Sequence, residues 1–348
     1  VAVTRALTVS IDAMGGDAGP GIVVSALLRA LQRHTKVQFL LHGDEAQLNP
    51  LLAKHAKLRG RASIKHASGR VAMEDKPSHV LRRGRDTSMW HAIESVKQGE
   101  ADVAISAGNT GALMAVSMFG LGIVDGISRP AIATIWPTLK GQTVVLDVGA
   151  NVMATDEQLV DFAVMGEAFA HVIFGLQRPT VGILNVGAEE QKGNDAVKGA
   201  AQILRNSSLP MAFHGFVEGD DIAKGTVDVV VTDGFTGNIA LKTAEGTARL
   251  IGAYLRQSLK RSLLSRLGAV VASGALRTLR RKLDPRANAG GIFLGLNGIV
   301  VKCHGGADAV SFASAMDMAI DMANSNINAR ITADRAALRA GASQAMQA

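Results

Sequence analysis

Ala101-Asp102-Val103-Ala104-Ile105-Ser106-Ala107-Gly108-Asn109-Thr110-Gly111-Ala112-Leu113-Met114-Ala115-Val116 reads as strand, glycine loop and helix. Val103 to Ile105 form an uninterrupted apolar run, Ser106 to Gly111 break it, and Ala112 onward resumes as a helix former. A strand that ends in small residues and feeds a helix presents free backbone N–H groups at the positive end of the helix dipole, which makes an anion site. Ser106, Gly108, Asn109, Thr110 and Gly111 are the candidate phosphate-binding residues of this loop. The plainer reading is a tight turn with Thr110 as helix cap. Recurrence of such loops along the chain favours the site.

The chain has 348 residues, 47% of them hydrophobic and only 4% aromatic, so Ala, Gly and Val supply the apolar mass. That suits a parallel α/β protein with close helix–sheet packing. A single cysteine, Cys303, excludes an intrachain disulfide and points to a reducing compartment. The N-terminus lacks signal-peptide shape. The longest uncharged stretch, Val103 to Val124, is split by the polar loop, and its apolar remainder is shorter than the roughly 20 residues of a membrane span. A soluble protein is expected.

Upstream, Leu7–Ile11 reads as a strand, Asp12-Ala13-Met14-Gly15-Gly16-Asp17 as its glycine loop, and Val23, Leu27 and Leu31 as a helix face. Strands follow at Val37–Leu41 and near Ile64. Met73–Pro77 reads as a mobile loop, and Arg82, Arg83 and Arg85 form either a solvated surface or a mouth for an acidic partner. Downstream, strands at Ala131–Ile135, Thr143–Leu146, Val181–Leu184 and Val227–Val231 precede polar loops. An amphipathic helix is expected over Asp156–Phe174. The loops carry Asp147 and Asn151, Asn185, Lys192 and Asn194, and Asp233 and Asn238. Lys192 has the best claim to be a phosphate-binding cation, against the commoner fate of an exposed lysine. Ligands in open α/β sheets bind beyond the carboxyl ends of the strands, so five such ends can line one cleft. Asp12, Gly15, Gly16, Asp147, Asn151, Asn185 and Asp233 are its candidate lining.

Between Arg249 and Arg286 stand ten Arg or Lys residues and one acid, Asp284. Ala248, Ile251, Leu255, Leu259 and Leu263 keep helical spacing, and Leu267–Ala272 is an uncharged tip. A helical hairpin over 243–286 is expected to project from an α/β body formed by 1–242 and 287–348. It is read as a dimerisation arm, as a basic amphipathic element whose tip (Leu267, Val270, Val271) touches anionic membrane, or as both. Ile292–Leu294 and Ile299–Lys302 read as paired strands, followed by His304, which is either catalytic or an orienting group.

No G-x-G-x-x-G follows a strand, and no P-loop, H-E-x-x-H, cysteine pair or G-x-S-x-G elbow is present, which counts against nucleotide, zinc and covalent serine chemistry. The remaining set of backbone amides, asparagines, a lysine and a histidine suits direct displacement by phosphate.

Seven motifs in order, Asp12–Asp17, Lys76-Pro77 with Leu81–Arg83, Ser106–Ala112, Asp147–Asn151, Asn185–Gly187 with Lys192–Asn194, Asp233–Asn238, and Lys302–Gly305 with Asp308, resemble the PlsX family of phosphate acyltransferases from Ile11 to about Met322. Met153 and Cys303 depart from its usual aspartate and its serine or alanine. The resemblance implies a three-layer α/β/α Rossmann-like sandwich of the isocitrate/isopropylmalate dehydrogenase and phosphotransacetylase type. It implies acyl transfer from acyl-acyl carrier protein to inorganic phosphate in a cytoplasmic, peripherally membrane-associated homodimer, with the acyl phosphate passing to a membrane glycerol-3-phosphate acyltransferase. Neither metal nor organic cofactor, nor nucleic acid, is expected. Phosphate must be aimed and the tetrahedral oxyanion met by preorganised donors. The Gly108–Gly111 amides with Asn109 and Lys192 are the expected phosphate clamp, and Asn238 or His304 serves the oxyanion or the leaving thiolate. Arg82, Arg83 and Arg85 would receive the acidic carrier protein. The rivals are an acyl-coenzyme A phosphotransacetylase, an isocitrate-type dehydrogenase needing NAD and a metal, and a non-enzymatic membrane scaffold.

Overall fold

The computed structural model describes residues 6–282 and 290–345. In chain order the elements are β1 (Thr8–Asp12), α1 (Pro20–Arg33), β2 (Gln38–Gly43), α2 (Glu45–Ala53), β3 (Ala62–His66), α3 (Pro77–Arg83), α4 (Ser88–Lys97), β4 (Val103–Ser106) and α5 (Thr110–Leu121). There follow β5 (Ala131–Thr138), β6 (Gly141–Leu146), α6 (Asp156–Phe174), β7 (Thr180–Leu184), α7 (Asp195–Arg205), β8 (Ala212–Val217), α8 (Gly219–Lys224) and β9 (Val229–Val231). The chain continues through α9 (Gly234–Lys260), α10 (Leu263–Val271), α11 (Ser273–Lys282), β10 (Gly290–Leu294), β11 (Ile299–Cys303), α12 (Ala309–Ala323) and α13 (Ile327–Ala345).

The strands make one sheet of eleven in the order β3-β2-β1-β4-β11-β10-β5-β6-β9-β7-β8. Successive residues of a strand bury into different cores. Val144 and Leu146 face the core shared with α1, α6 and α12, whereas Val145 faces the one shared with α4 and α5; Val229, Val231 and Val230 divide in the same way. Helices therefore cover both faces, which is the three-layer sandwich expected from continuous Val/Ile runs. Each fully buried side chain of this size contributes about 1.5–3 kcal/mol.

The strand ends are not all directed alike. β10 pairs antiparallel with both β11 and β5, and β5 pairs antiparallel with β6. The half carrying β6, β9 and β7 consequently runs against the half carrying β1, β4 and β11. Periodicity could not foresee this, because it reports which residues are buried and not which way a strand runs.

Several local expectations change. α6 is no half-exposed helix: every residue from Leu159 to Ala170 is buried. Its two buried carboxylates are met by α13, with Arg335 Nε 2.8 Å from Asp161 and Arg330 donating to Glu167 at 2.7 Å. β5 runs past the expected Ala131–Ile135 to Thr138, paired with β6 through Pro137. β8 had no sequence signal strong enough to stand out. The Met73–Pro77 segment is tied down, because the Asn109 side chain donates to the carbonyls of Met73 (2.7 Å) and Asp75 (3.0 Å). α9 runs unbroken through the boundary expected at 242/243. The boundary expected at 286/287 lies outside the described residues.

Candidate active site

β1 and β4 end side by side, with Asp12 opposite Ser106, and Lys302 of β11 pairs with Ser106 from the other side. At this corner Asp12 is buried and accepts from the hydroxyls of Ser88 (2.6 Å) and Ser106 (2.7 Å). Burial pushes its carboxyl pKa up, against the lowering effect of those hydrogen bonds. Ser106 Oγ in turn accepts from Gly108 N at 3.0 Å. A β-carbon at Gly15 would stand 2.9 Å from Gly108 N, and Gly16 adopts φ +83° with only 2.9 Å to Ala107 Cβ for any added atom. The loops after β1 and β4 therefore interlock, and both glycines are required by close approach.

This bonding corrects the reading of the Ser106–Gly111 loop. The helix cap is Asn109 rather than Thr110: its Oδ1 accepts from Ala112 N at 3.0 Å while its amide holds the Met73–Asp75 turn. Ser106, Gly108 and Asn109 are thus committed within the chain. Thr110 and Gly111 retain first-turn amides that have no intrahelical partner. Pro77, the first residue of α3, packs beside Gly111, the exposed Arg82 and Arg83 form the last turn of that helix, and the Arg85 guanidinium lies 5.8 Å over the Trp90 ring.

The second set of loops follows β6 and β9. Asp147 is fully buried and accepts from the backbone N–H groups of Ile132, Gly149, Ala150 and Asn151, and from Asn151 Nδ2. Desolvation raises its pKa against these bonds. Asn151 is saturated as well, since Arg129 donates to it at 2.7 Å and its amide donates to Pro130 O at 2.8 Å. Asp12, Asp147 and Asn151 therefore shape the loops from beneath and do not line a cleft. Asp233 caps α9 through Thr236 N at 2.8 Å.

α9 joins the two sets. Gly234 and Gly237 let its first turn lie directly on the Asp147–Asn151 loop, where a β-carbon at Gly237 would overlap the Asp147 carbonyl oxygen. One turn on, the Asn238 amide faces Gly149. Lys242, four residues later and so on the same helix face, places Nζ 3.3 Å from His304 Nε2, in the loop after β11. His304 Nδ1 accepts from Gly306 N at 3.1 Å. Burial and the Lys242 charge push the His304 pKa down, which keeps the ring neutral near pH 7. Lys302, two residues before it, directs its ammonium to the carbonyls of Ala107 (3.4 Å) and Cys303. Burial lowers its pKa to about 8 and raises that of the Cys303 thiol to about 11.

Lys192 is held elsewhere. In the loop after β7 its ammonium pairs with Glu189 at 2.9 Å, which raises its pKa, and Asn185 Nδ2 donates to its carbonyl at 3.1 Å. Asn194 caps α7 through Val197 N. The structure thus sets Asn238 and Lys242 on one face of α9 with His304 against Lys242, directs Lys302 at the Ala107 carbonyl, and keeps the Lys192 loop at the end of β7, beside β9. Lys242 and Lys302 were passed over in the sequence: one sits mid-helix and the other inside a strand, where a lysine usually means solvent. Among the described residues no cluster of His, Cys, Asp and Glu could hold a metal ion.

Comparison with known proteins agrees with this architecture. A family model described as fatty acid synthesis protein matches residues 7–330. The chain is 57% identical over 332 residues to a phosphate acyltransferase of Parvibaculum lavamentivorans, covering 95% of this chain and 92% of that one. Among solved structures it is similar in fold to a phosphotransacetylase from Streptococcus pyogenes, with a TM-score of 0.64 at 17% identity over 92% of this chain and 94% of that one. It also resembles a 4-hydroxythreonine-4-phosphate dehydrogenase from Klebsiella pneumoniae, with a TM-score of 0.53 at 14% identity over 93% and 99%.

Proposed function

Because the chain belongs to the fatty acid synthesis protein family of phosphate acyltransferases, and is therefore an acyltransferase, we propose that it moves a fatty acyl group from acyl-acyl carrier protein to inorganic phosphate, releasing acyl phosphate. The observation that carries this reading is the row Asn238–Lys242–His304, which spans from the glycine loop after β6 to the loop after β11. It offers neutral and cationic donors on a rigid helix, which is what a phosphate nucleophile and a developing oxyanion need.

In the proposed reaction a phosphate oxygen attacks the thioester carbonyl and a C–O bond forms. The tetrahedral oxyanion is met by Asn238 Nδ2 or by the N–H of neutral His304. The C–S bond then breaks, and sulfur keeps the electron pair and ends as a thiol with the proton that hydrogen phosphate brought in. Lys192 is the candidate to swing from Glu189 onto the phosphate, its ammonium being exposed.

The exposed cations Arg82, Arg83 and Arg85, at and just beyond the end of α3, suit an acidic carrier protein. The arm formed by the outer part of α9 with α10 and α11 suits a homodimer contact along its stems and a reversible contact of its tip with anionic membrane. No helix among the described residues is long and apolar enough to cross a membrane. The acyl phosphate would pass to a membrane glycerol-3-phosphate acyltransferase, which places the enzyme at the cytoplasmic membrane face.

The test supplies acyl-acyl carrier protein or acyl-coenzyme A, with and without phosphate, and traps acyl phosphate as the hydroxamate while free thiol is counted. The expected result is phosphate-dependent hydroxamate, matched by thiol, from the carrier-protein donor. Equal turnover of acyl-coenzyme A would make the enzyme a phosphotransacetylase, and no product from either donor would leave a non-enzymatic role. Lys192→Ala should raise the apparent KM for phosphate about tenfold, the size of one charge-assisted hydrogen bond.

A further inference from the structure

The loop after β11 holds more donors than acceptors. Gly306 N donates to His304 Nδ1, so the neutral ring carries its own proton on Nε2. That N–H faces the Lys242 ammonium at 3.3 Å. A neutral imidazole has one acceptor nitrogen, and Gly306 has taken it. Two donors are left pointed at each other, with the half-buried Lys302 ammonium two residues away in the chain. Such an arrangement is resolved by an acceptor that both can share, and a multiply charged oxyanion supplies several.

We propose that Lys302, Lys242 and the Nε2–H of His304 form the phosphate-binding site. This assignment rests on the reading of the chain as a phosphate acyltransferase, moves the anion contacts away from Ser106, Gly108 and Asn109, which the loop itself consumes, keeps Lys192 as an added contact that closes on the bound anion, and leaves the oxyanion to Asn238. The groups acting on Lys302 come from every element around it. Asp12 at the end of β1, Asp17 in the loop after it and the neighbouring Cys303 favour its charged form; Lys242 and, above all, burial oppose it. With its pKa near 8 the amine is about half protonated at pH 8. A bound dianion restores the proton, so phosphate affinity falls as pH rises through that range. Lys242 Nζ also pairs with Glu245 at 3.1 Å. His304 contributes a neutral hydrogen bond.

The experiment is calorimetric titration of the intact protein with inorganic phosphate at pH 8, in two buffers of different ionisation enthalpy. The expected result is uptake of about half a proton per phosphate. Lys302→Arg should bind phosphate without proton uptake, because arginine stays charged. Lys302→Met and Lys242→Gln should each weaken binding about tenfold or more. Should Lys302→Met fail to fold, the arginine variant and the wild-type proton count still decide. Unchanged affinity in the Met or Gln variant, proton uptake that survives Lys302→Arg, or no phosphate binding by the wild type would overturn the assignment. Proton-linked phosphate binding without acyl phosphate formation would instead refute the acyl-transfer reading and leave the site standing.

Discussion

The two ends of α9 are built by opposite means. At its root Gly234 and Gly237 are buried, Asp233 caps the helix, and Asn238 and Lys242 meet loops from both halves of the sheet. Beyond Lys242 no residue of α9 is buried, and α10 has no buried residue at all. Leu267, Val270 and Val271 are 65%, 71% and 89% exposed. The root is positioned by the chain's own packing, so its geometry belongs to the isolated protomer. The outer part carries apolar side chains that the described residues leave exposed, the kind of surface that suits the proposed partner or lipid contact.

The sharpest way to break this contrast is at the root. Gly237→Ala drives a methyl group into the Asp147 carbonyl. It should cost about 3 kcal/mol, the upper end for overpacking, and displace Asn238 with it. Denaturation midpoints and turnover measured together should both fall; a variant of wild-type stability would mean that the root is not clamped.

The root region also holds a cation at a cost in stability. The folded pKa of Lys302 lies near 8, below the ordinary lysine value of about 10.4. The unfolded chain therefore binds more protons between these limits, and stability rises with pH across them. Lys302→Met should gain about 1–2 kcal/mol at pH 7, after allowing for its lost hydrogen bonds. The gain should shrink towards pH 10 in chemical denaturation at the two pH values. A loss at pH 7 would show that the lysine is a structural tie.

Smaller effects are expected at the cationic rim. Reversal of Arg82 and Arg83 to glutamate should raise the apparent KM for acyl-acyl carrier protein several-fold and flatten its salt dependence. The KM for phosphate and the melting temperature should stay in place. Unchanged carrier-protein kinetics would move the docking face to the arm.

The smallest change in the body should follow replacement of Leu267, Val270 and Val271 by glutamate. Exposed substitutions usually alter stability by less than about 0.5 kcal/mol, and soluble turnover should be unchanged. Sedimentation with anionic vesicles should be lost. Dissociation into monomers would assign the tip to the dimer contact instead, and retained vesicle binding would assign the membrane contact to another surface.

Much of the body was legible in the sequence. Val103–Ile105 and Val181–Leu184 stand where their apolar runs put them, because burial on both faces of a sheet leaves such runs continuous, and the Asp156–Phe174 helix has the expected bounds without the expected exposed face. The glycine loops at the strand ends were legible for the same kind of reason: an Asp or Asn beside two glycines marks a backbone that must turn and pack closely. The exposed tip of the arm could also be read, from an uncharged segment set among cations.

What only the tertiary structure decided is which of these groups remain available for chemistry. Asp12, Asp147, Asn109 and Asn151 have the composition of site residues, yet their lone pairs and protons are consumed by Ser88, Ser106, Ile132, Arg129 and neighbouring amides. Lys242 and Lys302 look like ordinary lysines in a helix and a strand, yet the span of α9 brings Lys242 to His304, and the pairing of β11 with β4 brings Lys302 to the Ala107 carbonyl. Sequence spacing records local hydrogen-bonding capacity and burial. How that capacity is spent depends on contacts between residues tens to hundreds of positions apart, which the sheet order alone sets.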